Sequence, residues 1–260
     1  MTVLEAHNLT VSYDKQPVLW DIDFEIPSGQ LVGIIGPNGS GKTTLLKAAM
    51  GILPADSGYV RIFGKPINEV RERMSYVPQR QSVDWDFPAT VMDICEMGRY
   101  RQGKLFGRLS KIDREIAADA LERVGMTSYR NRQIGELSGG QQQRVFIARS
   151  LAQQAELYLM DEPFVGIDAA SEETIIALLE DMRSEGKTVV LVHHDLHTAI
   201  EFFDWIVLLN TRLVAAGPKA DVLTEENLRT AYGGKLNLLS KVTELIRKKE
   251  YPLREKRRTE

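Results

Sequence analysis

The sequence predicts an α/β fold in which a parallel sheet alternates with helices, an antiparallel β portion comes first, and a helical stretch is inserted between the two. Three observations carry this. Short strand-like runs punctuated by Gly, Pro and Asp fill the first part of the chain. From about Ala89 to Gln153 the apolar spacing turns helical, and after that short apolar runs return, separated by helical segments.

Taken in order, Val3–Tyr13, Val18–Ile26 and Val60–Phe63 place β-branched and aromatic residues between turn signals, as strands of an antiparallel sheet do. Leu31–Ile35 is almost wholly apolar and suits a strand buried on both faces. The residues after it, including Leu45, Leu46 and Ala49, suit a helix. In the central stretch Ile116, Ala120 and Val124 share one helical face, with Ser110 as the N-cap of that segment. Leu157–Met160, Val189–Val192 and Ile206–Leu209 read as strands of a parallel sheet. A turn at Asn210–Arg212 leads to a return strand through Ala215. We therefore expect one domain over residues 1–240, with a helical subdomain of about 89–153 inserted. Residues 241–260 form a tail of eight basic and four acidic residues, read as solvated, with contact to anionic headgroups as the minor alternative.

Bulk properties narrow the function. A formal charge of -3 offers no basic field for nucleic acid, so no nucleic-acid partner is expected. The single cysteine, Cys95, has no internal partner for a disulfide and reads as a buried bystander thiol. No run reaches the 18 or so apolar residues of a membrane span, and Met1–His7 lacks the basic and apolar regions of a signal peptide. The expectation is a cytoplasmic protein whose membrane association, if any, is peripheral.

The strongest motif is Gly36-Pro37-Asn38-Gly39-Ser40-Gly41-Lys42-Thr43, a G-x-x-x-x-G-K-[ST] phosphate loop between a buried strand and a helix. Its glycines let backbone N–H groups turn toward phosphate oxygens, and the helix start adds a favourable partial charge. Lys42 reaches the β and γ phosphates and Thr43 offers a hydroxyl to Mg²⁺, with Thr44 next in line, so the ligand expected is ATP with Mg²⁺. A carboxylate is still needed for that ion. The run Leu157–Met160 delivers Asp161 to hold Mg²⁺ and then Glu162 as general base toward the attacking water.

Leu137-Ser138-Gly139-Gly140-Gln141-Gln142-Gln143-Arg144 closely resembles the signature motif of ABC ATPases, the feature that separates them from kinases, small GTPases and other phosphate-loop proteins. The resemblance covers roughly Val3–Ala216 and implies the ABC ATPase fold: a RecA-like core, an antiparallel β subdomain and an inserted helical subdomain. It further implies roles for single residues. Tyr13 matches the aromatic that stacks on adenine, Gln79 the Q-loop glutamine that also reaches Mg²⁺, Asp168 the end of the D-loop and His194 the switch histidine near the γ-phosphate. It also implies a head-to-tail dimer, read as a homodimer, in which the phosphate loop of one subunit and Ser138, Gly139, Gly140 and Gln141 of the other enclose each ATP. Such a subunit would sit on the cytoplasmic face of the membrane, work with transmembrane permease subunits and serve an extracytoplasmic substrate-binding protein indirectly.

The segment Arg80–Val91, with Trp85, Phe87 and Pro88, looks like that of the manganese, zinc and iron importer branch. Val165-Gly166-Ile167-Asp168 and His193 depart from the commoner family pattern and are similar to the same branch. The alternative is the ATPase of a siderophore or vitamin B12 importer, and after it a non-transport ABC ATPase. His193, His194 and His197 are not read as a metal site, since His194 already has a nucleotide role in the family. The family places the region Trp85–Tyr100 against the permease, with Trp85, Phe87 and Met92 as apolar anchors or, equally, as internal packing.

Overall fold

A computed structural model describes residues 1–100, 109–193, 196 and 201–233. His194, His197 and the tail 241–260 lie outside these residues. The strands are β1 (Thr2–Tyr13), β2 (Gln16–Pro27), β3 (Leu31–Ile35), β4 (Ser57–Ile62), β5 (Met74–Val77), β6 (Leu157–Asp161), β7 (Thr188–His193), β8 (Trp205–Asn210) and β9 (Arg212–Pro218). The helices are α1 (Lys42–Ala49), α2 (Ile67–Val70), α3 (Val91–Met97), α4 (Lys111–Arg123), α5 (Gly139–Ala152), α6 (Ala169–Ser184), α7 (Lys219–Val222) and α8 (Glu225–Tyr232). The chain forms two compact units.

One unit holds Met1–Val3, Pro27–Leu31 and Ile62–Val192. In it β5, β6 and β7 run parallel, with Met74 opposite Leu157 and Leu157 opposite Thr188. β6 and β7 are buried along their whole length, as the continuous apolar runs require of strands covered on both faces. β5 carries only four residues and is not evident as a run in the sequence. Helices α3, α4 and α5 pack on one another. Their starts are written locally: Thr90, Ser110 and Ser138 each accept from the N3 backbone N–H while the N3 side chain (Asp93, Asp113, Gln141) returns the bond. The buried face of α4 is Ala117, Ala120 and Leu121, continued by Val124, with Ile116 half-buried at its edge. Cys95 is fully buried, donates to the Ala117 carbonyl at 3.0 Å, and has its thiol pushed up to about 12, mainly by burial. It is a packing residue.

The other unit holds Leu4–Ile26, Val32–Arg61 and the described residues from His193 on. β1 and β2 are joined through Asp14 and Lys15, both with positive φ, which is the two-residue turn that suits strand twist. They form a three-stranded sheet in the order β2-β1-β4. β3 pairs in parallel with β8, and β9 returns antiparallel to β8, so the return strand extends beyond Ala215 to Pro218.

Candidate functional site

In the second unit the phosphate loop leaves β3, whose five residues are all buried, at Gly36. A Cβ there would lie 2.0 Å from the Leu209 carbonyl oxygen and 2.7 Å from Ser40 Oγ, so only glycine lets the chain pass. Gly41, the N-cap of α1, has φ +97, and a Cβ on it would meet Leu19 Cδ2 at 2.5 Å. The Thr211 N–H donates to the Ser40 carbonyl at 3.0 Å, tying the loop to the β8–β9 turn. Pro37 is half-buried, Asn38 and Gly39 are exposed, Thr43 is half-buried and Thr44 is buried. Lys42 is buried and its Nζ donates to the carbonyls of Gly36 and Pro37, both at 2.9 Å, so the ammonium is folded back over the loop. Ser40 Oγ is buried without a hydrogen-bond partner among the described residues. A helix start without a side-chain cap, glycines that admit no Cβ and a lysine in the same loop fit a nucleotide's phosphates. Tyr13 ends β1 and is 44% exposed, so its ring is available for stacking.

In the first unit β6 ends at Asp161, which is buried. Its charge, after burial, helps push the Tyr76 phenol up to about 12, so that neighbour stays protonated. Glu162 follows with φ 51, the left-handed region that side chains other than glycine enter at a cost of about 1–2 kcal/mol. Its N–H donates to the Val192 carbonyl at 3.2 Å, and its Oε2 accepts from Gln79 Nε2 at 2.7 Å. Gln79 and Glu162 are thus brought together across 83 positions.

Around them lies a polar network that the motifs did not reveal. Arg80 donates from Nε (3.1 Å) and Nη2 (2.9 Å) to Gln142 Oε1 on α5, and Gln142 Nε2 donates to the Ile134 carbonyl. Trp85 Nε1 donates to the Arg80 carbonyl, and its ring meets Phe146 edge-on at 4.9 Å. Trp85 is therefore used in packing, Met92 is half-buried, and Phe87 stays 53% exposed. Arg80 was unreadable as a link because no spacing rule ties it to a residue 62 positions on.

Ser138, Gly139, Gly140 and Gln141 open α5, with Ser138 exposed. A Cβ on Gly140 would sit 2.5 Å from Ser171 Oγ, and one on Gly139 would sit 3.0 Å from the Gly166 carbonyl. The two glycines also make room for the loop before α6 in the same chain. Asp168 caps α6: the Ser171 N–H and hydroxyl donate to its two oxygens, both at 2.9 Å, and the backbone bond first, then the hydroxyl, hold its carboxyl below the usual range. His193 is buried in β7 with Phe203 edge-on at 6.2 Å, while His194 lies outside the described residues. Among the described residues no group of three or more His, Cys, Asp or Glu could hold a metal ion.

The family profile described as ABC transporter matches residues 19–165. This chain belongs to the ABC transporter family. It is 54% identical to the manganese transport system ATP-binding protein MntB of Bacillus subtilis over 92% of this chain and 96% of that one. It is 52% identical to the zinc transport system ATP-binding protein TroB of Treponema pallidum, over 90% and 88%. Among solved structures, a chain from an inward-facing ABC transporter described as of metal-chelate type superposes with TM-score 0.79 at 28% identity, covering 89% of each chain. The ABC ATPase fold and an ATP-binding, ATP-hydrolysing subunit are thereby shown. No helix among the described residues of this ABC subunit is long and apolar enough to cross a membrane.

Proposed function

We propose that this subunit, as a head-to-tail homodimer on the cytoplasmic face of the membrane, drives import of a divalent metal ion (manganese, zinc or iron) through transmembrane permease subunits fed by an extracytoplasmic binding protein. One observation carries the cargo: identity above 50% over some nine-tenths of the chain to proteins named for manganese and zinc transport. The segment Arg80–Val91 supports the same branch.

Within the site we assign ATP to Tyr13 through its adenine and to the backbone of Gly36 through Thr44 through its phosphates, with Ser138, Gly139, Gly140, Gln141 and Asp168 serving the partner's nucleotide. Thr43, Gln79 and Asp161 would hold the Mg²⁺, which supplies charge neutralisation for the phosphate oxygens. Glu162 takes a proton from the water whose oxygen bonds to the γ-phosphorus, while the bond from that phosphorus to the ADP oxygen breaks. Lys42 and His194 stabilise the negative charge that develops. The left-handed backbone at Glu162 supports its role, since strain of this kind persists where function needs a side chain aimed. The hydrogen bond from Gln79 holds the carboxylate in reach of a group on the Q-loop.

The test is the manganese, zinc and iron content of cells lacking the gene, restored with the wild type or with Glu162→Gln. A fall in one metal, recovered only by the wild type, is the expected result. Unchanged content in metal-limited medium overturns the cargo and favours a siderophore or vitamin B12 complex, a reading the likeness to a metal-chelate type transporter already supports.

A further inference from the structure

Two consecutive residues of the first unit, Gln79 and Arg80, hold two different parts of it. Gln79 Nε2 donates to Glu162 Oε2 at 2.7 Å, while Arg80 donates through both Nε and Nη2 to one oxygen of Gln142 on α5, at 3.1 and 2.9 Å. Gln142 stands one helical turn beyond the cap of that helix, its N–H donating to the Ser138 carbonyl at 2.9 Å. One dipeptide thus holds both the carboxylate proposed as base and the start of the helix that carries Ser138, Gly139 and Gly140.

Arg80 also meets the turn itself. A Cβ on Gly139 would lie 3.1 Å from Arg80 Cζ and 3.2 Å from its Nε, besides 3.0 Å from the Gly166 carbonyl oxygen. One on Gly140 would lie 2.5 Å from Ser171 Oγ and 3.0 Å from Asp168 Oδ2. The first turn of α5 is therefore packed against both the guanidinium and the segment 166–171. Neither end of the link is loose. The Arg80 carbonyl accepts from Trp85 Nε1 at 2.9 Å and from the Val83 N–H at 3.3 Å, and the Trp85 ring meets Phe146 of α5 edge-on. Gln142 is buried, its Nε2 donates to the Ile134 carbonyl at 3.2 Å, and among the described residues Arg80 alone donates to its Oε1. Loss of Arg80 leaves a buried carbonyl oxygen without a donor, so the turn must shift or admit water to supply one.

Resting on the head-to-tail dimer proposed above, we propose that Arg80 is a positioning residue for hydrolysis: it sets where the turn Ser138–Gly140, which serves the partner's nucleotide, stands relative to Glu162, which serves the subunit's own. It acts through Gln142 and Gly139 and not on a phosphate. Two N–H groups of a planar guanidinium on one oxygen fix direction as well as distance, which the point charge of a lysine does not.

The experiment uses the full-length subunit as Arg80→Ala, Arg80→Lys, Gln142→Met and the double variant Arg80→Ala/Gln142→Met, each made also beside Glu162→Gln so that ATP-dependent dimerisation can be followed without turnover. The measurements are kcat and KM, ATP affinity at protein concentrations too low for dimers, the dimer's Kd with ATP by sedimentation, and thermal melting. Arg80→Ala is expected to lower kcat by about 10- to 100-fold and to raise the dimer's Kd about tenfold, while the ATP affinity of the single subunit stays within about twofold of wild type. Arg80→Lys should keep part of the rate. Gln142→Met should match Arg80→Ala, and the double variant should lose no more than either, since all three break one link. Additive losses, or a fall in kcat matched by an equal fall in single-subunit ATP affinity, overturn the positioning role. Failure of Glu162→Gln alone to dimerise with ATP removes the dimer reading and the proposal with it, whereas dimerisation and kcat unaltered by the Arg80 variants overturn the proposal alone. If Arg80→Ala melts below the assay temperature, Arg80→Lys, Gln142→Met and their double decide by the same test of additivity.

Discussion

Gly36 and Glu162 stand at the ends of two buried five-residue strands, β3 and β6, and the chain is held there in opposite ways. At Gly36 the side chain is removed altogether, because any Cβ would enter the Leu209 carbonyl. At Glu162 a full side chain is kept although φ 51 favours glycine. On the roles proposed above, the difference follows from which atoms act. A phosphate loop works through backbone N–H groups, so packing can press on the backbone until nothing but glycine fits. A general base works through a carboxylate, so the backbone carries the strain and the strand end aims the side chain.

The largest effect should come from the carboxylate proposed as the base. Glu162→Gln leaves an amide oxygen that still accepts from Gln79, so folding and ATP binding should persist. Steady hydrolysis should fall by about 10²–10⁴, the usual contribution of a positioned base. The check is phosphate release beside nucleotide binding on the same preparation. Turnover within threefold of wild type would show that the strained backbone serves something other than proton abstraction.

At the other strand end the expected effect is on stability, and two glycines of one loop separate its causes. Gly36→Ala forces a Cβ to 2.0 Å from backbone and should cost about 3 kcal/mol, the upper part of the range for overpacking. Gly39→Ala meets nothing within 4 Å but retains φ +80, and should cost about 1 kcal/mol of backbone strain alone. Urea unfolding of both variants measures the gap. Equal losses would mean that backbone conformation, and not the Leu209 contact, fixes glycine at position 36.

The same contrast explains what the sequence disclosed. The phosphate loop was legible because backbone work leaves glycines at fixed spacing, and β3, β6, β7 and β8 were legible because strands covered on both faces must be continuously apolar. Asp161 and Glu162 could be placed as the acids following such a run. Their surroundings could not: the bond from Gln79 to Glu162 and the links from Arg80 to Gln142 join residues 83 and 62 positions apart, and no periodicity encodes that. β5 escaped notice since four residues, Met74–Val77, give too few apolar positions to stand out. The capping boxes at Thr90 and Ser138 are present in the letters as a cap residue with its N3 partner, and at Ser138 they coincide with the signature-like motif.

Asp168 stands between the two extremes and should give the smallest effect. It keeps a side chain, as Glu162 does, but uses it to serve backbone, accepting the Ser171 N–H and hydroxyl at the start of α6. Those bonds favour the carboxylate, so its folded pKa is depressed. A depressed acid contributes stability above its unfolded pKa, about 3.9, and loses that contribution as pH falls through the lower folded value. Asp168→Asn retains an oxygen able to cap the helix but carries no charge. Its melting temperature should therefore lie slightly below wild type at pH 7, and the two should converge as pH is lowered from about 5 to below 3. A difference that stays constant across that range would assign the cap to hydrogen bonding alone. It would place Asp168 with Gly36, as a residue whose task is the shape of the chain.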